Sequence, residues 1–118
     1  MRHWILQIVV TGCLLACSSP ARKIELPPAT KVIAPDGQPN DHFGRSVDYD
    51  GERMIVGAEG DDERFPEAGS AYIFAKRGKK WELEDKVVAN DARTSARFGT
   101  SVSILGSWSA VSARGNID

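Results

Sequence analysis

An acidic loop contains the side chains of this sequence that are best suited to chemistry. Asp61, Asp62 and Glu63 are consecutive, and Glu67 follows four positions later. Proteins bind calcium through several oxygen ligands that converge on one centre, so Asp61, Asp62 and Glu63 form the candidate calcium loop. Their spacing does not alternate as in a calcium-binding loop, and Arg64 lies among the acids. We therefore expect weak calcium binding or none, and the alternative interpretation is a solvated acidic loop.

The remaining polar residues form no recognisable catalytic motif. His42 has no cysteine, second histidine or serine at a catalytic or metal-binding spacing. No Gly-x-Ser-x-Gly motif occurs, and the serines are spaced like the polar face of strands. We therefore expect no enzyme and no certain cofactor, with calcium as the one ion to consider. With 15 basic and 16 acidic residues, the chain also lacks the positive charge that predicts a nucleic-acid partner.

The first 16 residues have the composition of an export signal. Arg2 and His3 precede the apolar run from Trp4 to Val10, which is too short to span a bilayer as a mature helix. The segment after the signal, residues 17–30, contains three prolines and no usable periodicity, which predicts an extended tether. The folded part is expected to begin near Lys31.

Two cysteines compete as the end of this signal. Leu14-Leu15-Ala16-Cys17 resembles the lipobox of bacterial lipoproteins, in which cleavage leaves an acylated cysteine as the first residue. Val10-Thr11-Gly12-Cys13 has the same pattern. Cys17 is preferred because it leaves an apolar stretch of ordinary length before it and a polar tether after it. An ordinary signal peptide with two incidental cysteines is the other alternative.

An acylated Cys17 predicts an exported lipoprotein that is bound to a membrane of the cell envelope. Ser18 follows that cysteine, and by resemblance to the sorting rules of enterobacteria this indicates the outer membrane or the cell surface.

The folded part repeats itself without a gap. Lys31-Val32-Ile33-Ala34 returns as Lys86-Val87-Val88-Ala89, and Phe43-Gly44 returns as Phe98-Gly99, in both cases after 55 residues. Chance matches do not stay in register over such a length, so the chain contains an internal repeat. The sequence predicts a first repeat over residues 31–85 and part of a second over residues 86–118.

Each repeat has the pattern of short antiparallel strands. Val47 and Tyr49 alternate with polar residues, and Asp50-Gly51 then supplies a hairpin turn before the apolar run that ends at Gly57. Two further strands are predicted, over residues 70–75 and 80–84, with a turn at Gly78. Four such strands per repeat predict an all-β chain, with one four-stranded blade of a β-propeller and part of a second. No helical period occurs after the signal.

The motif residues resemble those of a known family. Phe43-Gly44 followed by Gly57-Ala58 is similar to the Phe-Gly and Gly-Ala-Pro elements of FG-GAP repeats, and Phe98-Gly99 repeats the first element. The resemblance implies a β-propeller related to the head of integrin alpha chains, which serves adhesion or ligand binding and often holds calcium in its blade loops. Glu59 replaces the proline of that pattern, and the Asp-x-Asp-x-Asp-Gly loop of the integrin members is absent.

The leading functional hypothesis is a non-enzymatic binding, adhesion or interaction module at the cell envelope, with a protein or glycan ligand. The alternative is a truncated propeller fragment that is non-functional or depends on a partner. Because a blade cannot cover both of its apolar faces, self-association through open faces is a further expectation. Phe43 and Phe98 are expected to be core anchors, and the glycine after each to permit a backbone geometry that a Cβ would obstruct.

The lipid anchor can be tested by metabolic labelling with a fatty acid. Cys17→Ser should abolish the label, since no thiol would remain at the cleavage site, whereas Cys13→Ser should leave it unchanged. Acyl chains each contribute about 0.8 kcal/mol per buried methylene, so the unlabelled variant should also leave the membrane fraction. Full labelling of Cys17→Ser together with its loss in Cys13→Ser would contradict the assignment.

Overall fold

The described part of the chain is all-β, as the sequence predicts. The structure, a computed structural model, describes Ala21 and residues 28–115. Its six strands are β1 (Ser46–Tyr49), β2 (Arg53–Ala58), β3 (Ser70–Arg77), β4 (Lys80–Val87), β5 (Phe98–Leu105) and β6 (Trp108–Ala113). The first four form an antiparallel sheet in the order β1-β2-β3-β4, and β5 and β6 form a second antiparallel sheet. No described residue lies in a helix that could cross a membrane.

Tight turns connect the strands at the positions where the sequence supplies them. Asp50 Oδ1 accepts hydrogen bonds from the backbone N–H groups of Glu52 and Arg53 at 2.9 and 2.8 Å. Gly51 has a φ of 109°, which a residue with a side chain rarely adopts. This turn returns the chain from β1 to β2, and it fixes the register in which Val47 pairs with Val56.

The central strands of the first sheet bury apolar residues on both faces, because successive residues of a strand point to alternate sides. On one face Val56, Ala58, Tyr72 and Phe74 form a buried cluster, with Phe43 and Trp81 packed against it. The opposite face presents Ile55 and Ala71 to Ile104 of β5. The second repeat therefore supplies part of the core of the first, as expected for stacked repeats that cannot cover their own faces.

The internal repeat extends to the backbone geometry. Gly44 and Gly99 have φ angles of 91° and 94°, and Asn40 and Ser95 have φ angles of 73° and 59°. The hydrogen bond from Gly60 N to Asp41 O recurs 55 residues later as Gly115 N to Ala96 O. The segments around the two Phe-Gly motifs thus fold in the same way, and there the sequence repeat is a structural repeat.

The end of the first sequence copy is not the end of the first sheet. The boundary expected between residues 85 and 86 falls inside β4, which runs to Val87. The copy of this segment at the start of the first repeat, Lys31 to Ala34, is not a strand, although Val32 and Ala34 pack against the first cluster. Lys86 therefore opens the second sequence copy and yet belongs to the first sheet.

Candidate functional site

A cluster of charged side chains is centred on the ammonium group of Lys86. Its Nζ lies 2.6 Å from Asp36 Oδ2 and 2.9 Å from Asp61 Oδ2, and it also pairs with Glu63. The Tyr72 hydroxyl donates to Asp36 Oδ1 at 2.8 Å. Two loops, β3 and β4 meet here, so one cation joins carboxylates that are far apart in sequence. We refer to these five residues as the Lys86 cluster.

The protonation of the Lys86 cluster follows from its burial and its hydrogen bonds. Burial disfavours the charge of Lys86, but hydrogen bonds to Asp36, Glu63 and Asp61 outweigh that effect and raise its pKa above the ordinary value. Burial likewise opposes the charge of Asp61, yet hydrogen bonds from Ser70 and Lys86 lower its pKa. Burial raises the pKa of Tyr72 to about 12. At neutral pH the cluster therefore holds a charged Lys86, a charged Asp61 and a neutral Tyr72.

The carboxylates of the candidate calcium loop form hydrogen bonds and ion pairs within the chain. Asp61 is buried and also accepts a hydrogen bond from Ser70 Oγ at 2.6 Å, and Asp62 Oδ1 accepts one from Glu67 N at 2.6 Å. Within residues 28–115, no group of three or more His, Cys, Asp or Glu side chains is arranged to hold a metal ion. The donor set does not fit calcium, because the Lys86 ammonium lies where the ion would bind. Weak calcium binding or none stays a prediction, which calorimetric titration with calcium can test.

The cation that pairs with the acids of this loop is Lys86, which is distant in sequence. Arg64 lies among these acids in the sequence, but its Nη1 donates to Ala89 O at 3.3 Å. Sequence reasoning missed both Lys86 and Asp36. The signal available was that both belong to the repeated segments that begin at Lys31 and Lys86. Their convergence depends on the sheet, so spacing alone could not predict it.

The motif residues lie in the core or in the contact between repeats. Phe43 packs edge-on against Tyr72 and Phe74, with ring centroids 5.3 and 6.2 Å apart, respectively. Phe98 packs against the buried group of Ile55, Ala71 and Ile104 between the repeats. Ala58 is fully buried. These positions agree with the expected core role. His42 lies 3.9 Å from the buried carboxylate of Glu59, while Cys13 and Cys17 lie outside the described residues.

The two glycines of the Phe-Gly motif share a conformation but not an environment. A Cβ on Gly99 would lie 2.3 Å from Ser70 O, because the second repeat packs closely on the first. A Cβ on Gly44 would meet nothing within 4 Å. The surface around Gly44 is thus the open counterpart of the surface by which the second repeat packs on the first.

Each repeat exposes large apolar side chains to solvent. In the first repeat these are Val47 and Tyr49 of the edge strand β1, which are 59% and 50% accessible. Their counterparts Val102 and Ile104 pack against the first repeat. The outer face of the second repeat exposes Leu105 and Trp108, which are 77% and 81% accessible. Exposed aromatic and aliphatic groups of this kind are typical of interaction surfaces.

The fold and these exposed apolar side chains define a β-repeat protein with the features of a propeller-like interaction module. The family model for the FG-GAP repeat matches residues 29–74 and 81–118, which together are more than half of the chain. The chain therefore belongs to the FG-GAP repeat family, which confirms the resemblance at the level of the repeat. Searches of curated proteins and of solved structures gave no match.

Removal of Lys86 should destabilise the fold in a pH-dependent way. We expect Lys86→Met to lower the free energy of unfolding at pH 7 by about 2 kcal/mol, between the values for exposed and for buried ion pairs. Lys80→Met is the matched control, because Lys80 lies exposed on the same strand. Unfolding by urea, followed by circular dichroism, measures the difference.

The pH dependence of this loss has a definite sign. Hydrogen bonding to Lys86 lowers the pKa of Asp36, and the pKa of Asp61 is also lowered, so both stabilise the fold above their ordinary pKa near 4. Their contribution is lost as the pH falls through the lowered values. The gap between wild type and Lys86→Met should therefore shrink between pH 4 and pH 2. Equal stabilities of Lys86→Met and Lys80→Met at pH 7 would contradict the role of the cluster.

Proposed function

We propose that this chain is a non-enzymatic interaction module of a bacterial cell envelope, anchored to the membrane through an acylated Cys17. The observation that carries the proposal is the exposed apolar surface of each repeat, at Val47 and Tyr49 of β1 in the first and at Leu105 and Trp108 in the second. Where the two repeats meet, comparable apolar surface is buried, because Ile104 packs on Ile55 and Ala71. Exposed apolar surface of this kind is suited to binding another protein or a glycan.

The polar groups of the chain also support a binding role. The carboxylates of the Lys86 cluster are tied to an internal ammonium group and to backbone or hydroxyl donors, so they serve as structural ion pairs. A general acid or base needs a proton-transfer partner within reach of a substrate. His42, the one histidine of the described residues, begins the turn that ends at Arg45 and lies 3.9 Å from the Glu59 carboxylate.

The tether supports the same proposal by its composition. Residues 17–30 are polar and proline-bearing, and such a segment acts as a semi-rigid spacer. An anchored chain with a spacer holds its repeats above the membrane, where a partner has access to both exposed apolar surfaces. A durable anchor takes more than one acyl chain, which is what the modification of a lipoprotein cysteine implies.

Photo-crosslinking in the native cell tests the interaction role. A photoreactive residue at Ser112, on the outer face of the second repeat, should give a discrete adduct because this face is expected to be covered by a partner. The same group at Lys79, in the exposed turn between β3 and β4, is the matched control and should give none. Absence of an adduct at position 112, in folded and membrane-bound protein, would contradict the proposal. Equal adducts at both positions would do the same.

A further inference from the structure

A buried carboxylate joins the two repeats. Glu59 follows β2, and its side chain is only 5% accessible. Arg45 Nη1 of the same repeat lies 2.8 Å from Glu59 Oε1, and Thr100 Oγ1 of the second repeat lies 3.0 Å from Glu59 Oε2. One acid thus contacts a basic residue of its own repeat and a hydroxyl of the repeat that packs on it. We call this contact the Glu59 junction.

The repeat of 55 residues shows what takes this position at the outer face. The counterpart of Glu59 is Arg114, and the counterpart of Arg45 is Thr100. The charge at the centre of the junction is therefore reversed in the second repeat. Arg114 is exposed, and it has no ion pair or hydrogen bond with any residue that the structure describes.

A repeat that packs on the outer face would bring its own junction residue to Arg114. In the observed contact, that residue is Thr100, the third residue of β5. Because Arg114 replaces a carboxylate, a carboxylate in the position of Thr100 would form the missing ion pair. A second copy of this chain would instead present Arg45, and two arginines facing each other oppose association.

The hairpin end of the outer face has changed in a matching way. In the first repeat, Asp50 Oδ2 accepts a hydrogen bond from Gly106 N at 2.9 Å, and Arg53 Nη1 donates one to Gly106 O at 3.2 Å. The counterparts of Asp50 and Arg53 are Leu105 and Trp108, both highly exposed. The outer face therefore offers apolar contacts to the hairpin turn of an incoming repeat, where the inner contact uses hydrogen bonds.

We infer that the outer face of the second repeat docks a β-sheet repeat of another protein, one that presents a carboxylate to Arg114 and an apolar turn to Leu105 and Trp108. The same charges disfavour a second copy of the chain in a head-to-tail arrangement. This inference rests on the proposed interaction role, and it names the partner's chemistry. Like charges brought together at an interface act as a selection against the wrong partner.

Sedimentation velocity of the full chain, over a range of concentrations, tests whether the charges of Arg114 and of the incoming Arg45 control head-to-tail association. Arg114→Glu recreates the Glu59 junction towards Arg45 of the next copy, so it should tighten head-to-tail association at least about tenfold. Adding Arg45→Gln to that variant removes the new pair and should return association to the wild-type level. Lys79→Glu makes the same change of charge at an exposed turn and should leave association unchanged.

A second variant tests the preference for an incoming carboxylate. Arg45→Glu combined with Glu59→Gln presents an acid to the wild-type Arg114 of the next copy while it avoids two facing acids within one chain. It should associate about as strongly as Arg114→Glu, and a further Arg114→Glu change should abolish the gain. Circular dichroism establishes that each variant is folded.

The outcomes separate this inference from the proposed function. Association that is unchanged in Arg114→Glu, or equally raised by Lys79→Glu, would overturn the inference that Arg114 selects a partner with a carboxylate. So would monomers throughout the series, even if crosslinking at Ser112 shows that the face is used in the cell. Loss of the crosslink, with the expected pattern of charge variants, would instead overturn the interaction role alone.

Discussion

The close approach of two backbones, at Gly57 in the first repeat and Gly99 in the second, is the constraint on which the rest of the structure depends. A Cβ on Gly57 would lie 2.0 Å from Gly99 O, and the Ser46 hydroxyl donates to that same oxygen at 2.7 Å. The contact lets Ile104 reach Ile55 and Ala71. It also brings Thr100 to Glu59, so the junction between repeats depends on a glycine that leaves room for it.

Charged groups secure the edges of this packed unit. Asp48 accepts hydrogen bonds from Ile104 N at 2.8 Å and Ser103 Oγ at 3.1 Å, and these donors lower its pKa. The Lys86 cluster joins the loops at Asp36 and Asp61 to β4. These charged groups form contacts within the chain, whereas the apolar side chains of Leu105 and Trp108 stay exposed. The arrangement favours recognition by shape and apolar area, and in our proposal Arg114 distinguishes between partners by charge.

The sequence was informative where the physics is local, and less so where distant segments meet. Alternation at Val47 and Tyr49, and the turn at Gly51, predict β1, β2 and their register, because period and turn chemistry act over a few residues. The 55-residue spacing predicts the second copy and its Phe98-Gly99 motif. The contacts of Lys86 were not predictable, since its partners are 23 to 50 positions away. The extent of β4 across the repeat boundary was missed for the same reason.

The stability of two glycine variants tests the central contact most directly. Gly57→Ala places a methyl group against Gly99 O, whereas Gly78→Ala adds one where nothing lies within 4 Å, at a φ of 62°. At Gly57, overpacking costs about 1–3 kcal/mol and occasionally more. At Gly78, an alanine in the left-handed backbone conformation costs about 1–2 kcal/mol. Urea unfolding should show Gly57→Ala as clearly the less stable variant, together with loss of protection of β5 amides from hydrogen exchange. A Gly57→Ala chain as stable as Gly78→Ala, with β5 still protected, would contradict the account.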